Sequence, residues 1–243
     1  MKIILNGANG RMGRILTDMI GEREDMTLAA RVDRFGEADF AELSACDTPA
    51  DIVIDFSNHA ATADLLACCE ARGMAVIIAT TGQTEEERMM INEAAKAIPI
   101  FFSANMSIGI ALLAELARKA AAVLPDADIE IIERHHNQKL DVPSGTALLL
   151  ARRIGEVREN AQFVVGRHEN GKRRPCEIDI HSLRYGSEVG THEIILSTGK
   201  ETITLKHEAE NRALFAEGAL AAARFMAGKD AGLYDMRDIV GRE

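Results

Sequence analysis

Along the first hundred residues, short and nearly continuous apolar runs alternate with amphipathic stretches. Lys2–Leu5, Met26–Val32, Asp51–Phe56, Met74–Ala79 and Pro99–Phe102 each hold an apolar run of strand length. Between them, Ile15, Leu16, Met19 and Ile20 fall on one side of a helix, and Asn58–Arg72 and Thr84–Lys96 also read as helices. Apolar strands alternating with helices predict a parallel, doubly wound Rossmann-type α/β sheet, because the crossover helices cover both of its faces.

From Ser107 the pattern changes. A helix carrying Ile108, Leu112, Leu113 and Leu116 leads to Ala127–Ile132, where polar and apolar residues alternate. The same alternation returns in Cys176–Arg184, Thr191–Ser197 and Glu201–His207, as in sheets with one covered face. A second α+β domain with a mixed or antiparallel sheet is therefore expected. The predicted boundaries are 1–105 for a dinucleotide-binding domain and 106–213 for a substrate-binding and oligomerisation domain. Segment 214–243, opening with an amphipathic helix over Leu214–Met226, is expected to pack back on the first. Residues 166–175 are polar and glycine-containing, and a mobile loop is expected there.

The first predicted strand runs into Gly7-Ala8-Asn9-Gly10-Arg11-Met12-Gly13 and then a helix. Strand, glycine-rich turn and helix form the context in which a helix N-terminus holds a pyrophosphate. Asp33 ends the second strand, twenty residues after Gly13, where an acid accepts ribose hydroxyls. Arg34 follows and suits adenine or a 2′-phosphate, so NADH and NADPH are both expected. Later strand ends carry Ala79-Thr80-Thr81-Gly82 and Ser103-Ala104-Asn105-Met106, small and hydroxyl residues suited to a nicotinamide ribose lying against backbone.

The densest chemistry lies between Glu133 and Leu148. Ile129, Ile131, Glu133 and His135 share one strand face, and Ser144 is placed to cap a helix beginning at Gly145. The first-turn amides of Gly145 and Thr146, with Lys139 and the pair His135-His136 nearby, suggest a small-carboxylate site with an acid/base group. Zinc does not fit, because adjacent strand residues face opposite ways and no third ligand follows at suitable spacing. Nor does a Ser144 nucleophile, since a capping oxygen is already engaged.

Composition narrows the class further. A net charge of −10 argues against nucleic acid or an anionic membrane as the main partner. The four cysteines show neither metal spacing nor a disulfide framework, and no apolar run approaches a membrane span, so a cytoplasmic protein is expected.

These motifs resemble the dihydrodipicolinate reductase (4-hydroxy-tetrahydrodipicolinate reductase) family of lysine and diaminopimelate biosynthesis. The resemblance covers essentially the whole chain. It is most specific in Glu133-x-His135-His136-x-x-Lys139-x-Asp141-x-Pro143-Ser144-Gly145-Thr146-Ala147, and is supported by Gly7-x-x-Gly10-Arg11-Met12-Gly13, Thr80-Thr81-Gly82, Ala104-Asn105 and Gly232–Asp238. It implies an NAD(P)H-dependent oxidoreductase acting on a small cyclic dicarboxylate. His135 would be the acid/base and Lys139 a proton donor and carboxylate partner, with His136, Ser144, Gly145 and Thr146 binding substrate. Gly7, Ala8, Asn9, Gly10, Arg11, Met12, Asp33, Arg34, Ala79, Thr80, Thr81, Ser103, Ala104, Asn105 and Met106 would contact the cofactor. A homotetramer is implied as well. The alternatives are another two-domain nicotinamide-dependent dehydrogenase of amino or hydroxy acids, or a non-enzymatic NAD(H)-responsive binding protein.

Overall fold

The computed structural model describes residues 1–241, so the last two residues of the expected segment 214–243 lie outside it. Two compact units emerge, one of Met1–Ser107 together with the segment from Ala213 onward, the other of Ile108–Arg212.

The first unit contains β1 (Lys2–Asn6), α1 (Arg11–Gly21), β2 (Thr27–Val32), β3 (Ile52–Asp55), α2 (Thr62–Ala71), β4 (Ala75–Ile78), α3 (Glu85–Ala94) and β5 (Pro99–Phe102). The helix expected from Asn58 opens as a short 3-10 turn, His59–Ala61, before α2 begins. Strand interiors such as Ile3, Ile4, Val53, Ile77 and Ile100 are fully buried, which is why their runs are continuously apolar. Each such side chain contributes roughly 1.5–3 kcal/mol on leaving water.

The second unit follows with α4 (Ile108–Val123), β6 (Asp128–His135), α5 (Gly145–Gly155), β7 (Gln162–Val165), β8 (Glu177–Arg184), β9 (Gly190–Ser197) and β10 (Thr202–Ala209). The chain then returns to the first unit with α6 (Ala213–Met226), β11 (Gly232–Tyr234) and α7 (Met236–Val240). The first sheet has the order β11-β5-β4-β3-β1-β2, every pair being parallel. From β1 the chain goes outward to β2 and then back across to β3. The strand order therefore reverses between β1 and β3, and a ligand crevice is expected beyond their carboxyl ends.

The second sheet is mixed, in the order β10-β9-β6-β8-β7. Strand β8 runs parallel to β6 and β7, whereas β9 is antiparallel to β6 and β10. Ile131 on β6 lies beside Ile180 and Ile194, and these pack with Leu113, Ala117, Leu150 and Ile154 from α4 and α5. The 166–175 loop, expected to be mobile, has its arginines tied down. Arg167 donates from Nε to Asp179 at 2.6 Å and also binds Glu177; Arg173 binds Asp128 and Glu130; Arg174 reaches Glu177 at 2.7 Å. Carboxylates on the strand face opposite α4 and α5 hold this loop, a pairing that local polarity does not reveal.

Candidate active site

Strand β6 carries its apolar row toward a polar end. Ile129 and Ile131 are buried in the core, and Glu133 and His135 continue on the same face, also buried. The strand register sets Glu133 beside His192 of β9 and Ser182 of β8, and sets His135 beside Arg184.

Glu133 is fully buried and four donors converge on its carboxylate. Oε2 accepts from His135 Nδ1 at 2.5 Å and from Arg184 Nη1 at 2.8 Å. Oε1 accepts from Arg184 Nη2 at 2.7 Å and from the Ser144 amide at 3.1 Å. Burial works to raise the Glu133 carboxyl, but the hydrogen bonds from His135, Arg184 and the Ser144 amide outweigh it and hold it well below the usual carboxylate range. Because Nδ1 of His135 donates to Glu133, Nε2 is the nitrogen left for chemistry. Gly190 stands against it, and a Cβ there would come within 2.9 Å of Nε2, so this glycine is needed for space.

His192 forms a second layer. Its ring meets His135 edge-on, with centroids 5.2 Å apart, and its Nε2 lies 3.2 Å from Ser144 Oγ. Burial first, and then the neighbouring His135, push its pKa down to about 3, so it is neutral at neutral pH. Ser144 also accepts the Ala147 amide at 3.2 Å as the cap of α5. Ser144, expected to bind substrate, is 1% exposed, with its amide bonded to Glu133 and its hydroxyl to the Ala147 amide.

At the open side, Lys139 pairs with Asp141 at 2.8 Å. The Gly145 and Thr146 amides belong to the first turn of α5, where the helix end favours an anion. His136 lies 3.4 Å from Arg212 Nη2. Its pKa is lowered by loss of hydration and then by the charges of Arg212, His135 and Lys139. Arg184, His192 and Arg212 were not among the residues selected from sequence. For Arg184 and His192 the available signal was a polar side chain in phase with the apolar rows of β8 and β9; Arg212 lies in the connection after β10 and carried no such signal.

In the first unit, Gly7 through Met12 form the β1–α1 connection and the start of α1. Gly7 has φ +81°, and a Cβ on it would lie 2.6 Å from the Phe56 carbonyl oxygen. Gly13 packs so closely that a Cβ would overlap the carbonyls of Gly7 and Ala8. Among the described residues α1 has no side-chain cap and no acid in its first turn, whereas α3 and α5 are capped by Thr84 and Ser144. That leaves the α1 start suited to a diphosphate. Asp33 accepts the Asn9 amide at 2.8 Å and the Phe35 amide at 2.9 Å, which points its carboxylate back toward the glycine turn. Arg34 is exposed and lies 3.5 Å from Glu42. Ala79, Thr80 and Thr81 follow β4, and Ser103, Ala104, Asn105 and Met106 follow β5. Met106 and Ala79 are buried, so backbone is what they can offer a ligand. Between β1 and β3, Asp55 accepts from Asn6 at 2.7 Å and from Ser57 Oγ at 2.6 Å; burial raises its pKa to about 6. The glycine cradle, the uncapped helix start and the placed acid fit a nicotinamide dinucleotide.

Comparison with known proteins decides the family. Residues 1–106 match the profile described as "Dihydrodipicolinate reductase, N-terminus", and residues 109–240 match "Dihydrodipicolinate reductase, C-terminus". This chain belongs to the dihydrodipicolinate reductase family. The 4-hydroxy-tetrahydrodipicolinate reductase of Caldanaerobacter subterraneus subsp. tengcongensis is 43% identical over 246 residues, covering 99% of this chain and 98% of its own length. A dihydrodipicolinate reductase from Paenisporosarcina sp. TG-14, solved with dipicolinate bound, superposes with TM-score 0.84 at 26% identity and covers 99% of both chains. A DAP dehydrogenase from C. glutamicum superposes with TM-score 0.57 at 15% identity, which shows a shared fold alone. The reductase is thus an NAD(P)H-dependent oxidoreductase with a Rossmann-type sheet and a second, mixed sheet.

Proposed function

We propose that this reductase acts on 4-hydroxy-tetrahydrodipicolinate, or the dihydrodipicolinate formed from it by loss of water, and yields tetrahydrodipicolinate. The observation that carries this reading is one buried carboxylate, Glu133, orienting His135 while also holding the Ser144 amide at the start of an anion-favouring helix. Acid/base group and carboxylate grip are thereby fixed to each other. That is what a small, charged, conjugated ring requires.

Once the 4-hydroxyl has left as water, a bound NADH or NADPH would supply a hydride to ring carbon 4 of the conjugated ring. Electrons then move toward the ring nitrogen, and the resulting enamine takes up a proton. His135, with Nε2 as its open nitrogen, and the Lys139 ammonium are the two groups that can deliver it. The Gly145 and Thr146 amides with Lys139 hold one carboxylate, and His136 with the Arg212 guanidinium serves the second. In the first unit, Gly7 through Met12 receive the diphosphate, Asp33 the adenosine ribose, and Arg34 the adenine or a 2′-phosphate. Thr80, Thr81 and the backbone from Ser103 to Met106 would line the nicotinamide end. No described helix is long and apolar enough to cross a membrane. We propose a cytoplasmic homotetramer assembled through the second unit's sheet, which sedimentation would read directly.

The test follows oxidation of NADH and NADPH at the nicotinamide absorbance, with substrate formed in situ from pyruvate and aspartate semialdehyde. His135→Gln should lower kcat by about 10²–10⁴-fold, and Lys139→Ala should lower kcat and raise KM together. Wild-type protein that binds NADH but leaves substrate unreduced would sink the assignment.

A further inference from the structure

The cation assigned to the substrate's carboxylate already holds one. Lys139 Nζ lies 2.8 Å from Asp141 Oδ1, just before the first turn of α5. We propose that Asp141 is a resident carboxylate in the anion-binding part of the site, and that an anionic ligand displaces it from Lys139. This rests on the carboxylate-binding role given above to Lys139 and the α5 start.

Three features separate Asp141 from a group that merely orients Lys139. First, the side chain is 57% exposed and makes one ion pair, unlike Glu133, which is fully buried and held by four donors. Second, its backbone is fixed: Arg184 Nη2 donates to the Asp141 carbonyl at 2.7 Å. Displacement therefore needs only rotation of the side chain into water, which frees the Gly145 amide together with Lys139 for the incoming anion. Third, the exchange is like for like. One carboxylate leaves the ammonium and another arrives, so Lys139 stays paired throughout. Lys139, and with it the Gly145 amide, favours the ionised form of Asp141 against the effect of burial, which keeps it an effective competitor at neutral pH.

The consequence is discrimination. A neutral ring gains nothing by displacing Asp141, because Lys139 would exchange an ion pair for a weaker contact. A ligand bringing its own carboxylate does so at little loss. Since an exposed ion pair is weak, the competition amounts to a factor of about 2–5 in affinity.

Calorimetry on the full chain with dipicolinate as the probe, at neutral pH and low salt, tests this. Asp141→Asn and Asp141→Ala should bind dipicolinate about 2–5-fold tighter than wild type, and Lys139→Ala more weakly. Glu188→Gln removes another acid whose carbonyl accepts the His136 amide, and should leave binding within about twofold. Unchanged or weaker binding in Asp141→Asn, with Lys139→Ala still impaired, would overturn the resident carboxylate alone. Tightening of Glu188→Gln to the same extent would also overturn it, because bulk charge would then explain the gain. Wild type that fails to bind dipicolinate, or Lys139→Ala that binds it normally, would overturn the site assignment and the proposal together.

Discussion

Replacing Glu133 by Gln keeps the shape of the side chain and removes its charge, so it isolates what the carboxylate does. Each oxygen accepts from two donors, Arg184 Nη1 with His135 on one and Arg184 Nη2 with the Ser144 amide on the other. Whichever oxygen becomes an NH₂ group meets two donors with nothing to accept. In one orientation His135 must reverse its tautomer, which puts the proton on Nε2 and removes the orientation set by the carboxylate. In the other, the start of α5 loses its anchor. Arg184, with its side chain 16% exposed, is left without a counter-ion in either case. Breaking such a pair costs about 3–5 kcal/mol. Loss of the oriented imidazole lowers turnover by about 10²–10⁴-fold. Urea unfolding and the pH profile of kcat/KM would be measured together, with NADH affinity as a control on the other unit. A companion variant, Glu133→Gln with Arg184→Met, removes the unpaired cation and should recover most of the stability while turnover stays low. Turnover within threefold of wild type in Glu133→Gln, or recovery of turnover in the companion, would refute the reasoning.

Two further outcomes follow from the same geometry. His192 has a folded pKa of about 3 against 6.5 unfolded, so the unfolded chain takes up a proton first on acidification. Its stabilising contribution is complete above pH 6.5 and is lost as pH falls toward 3, a change of up to about 4–5 kcal/mol; His192→Gln should flatten urea midpoints across that window. Gly13→Ala would press a methyl group into the Gly7 and Ala8 carbonyls, costing roughly 1–3 kcal/mol and weakening NADH, with dipicolinate binding in the other unit unchanged.

Much of this was readable in advance because periodicity is a local property. The apolar runs of β1, β3, β4 and β5, the glycine turn and Asp33 each declare themselves within a few residues. So do His135, Lys139 and the cap at Ser144. What was not legible depends on register. Arg184 lies 51 residues from Glu133, and only the parallel pairing of β6 with β8 brings it across. His192 reaches Ser144 through the antiparallel register of β9, again a pairing that alternation alone leaves open. Strand β11, three residues long, is too short to show a period, yet it extends the first sheet beside β5. The burial of Ser144 was hidden for a related reason: a capping serine at a helix start looks accessible until its neighbours across the sheet are known.

The shared carboxylate has an evolutionary consequence. Glu133 holds the acid/base imidazole with one oxygen and the α5 start with the other, so neither can be moved without disturbing its counterpart. Changes at His135 and at Ser144 should be strongly epistatic, with double variants hardly worse than either single one. A lineage or an engineer seeking a new substrate would find that core closed. The adaptable positions are outside it, at Asp141, His136 and Arg212, where a side chain can change without touching the Glu133 carboxylate.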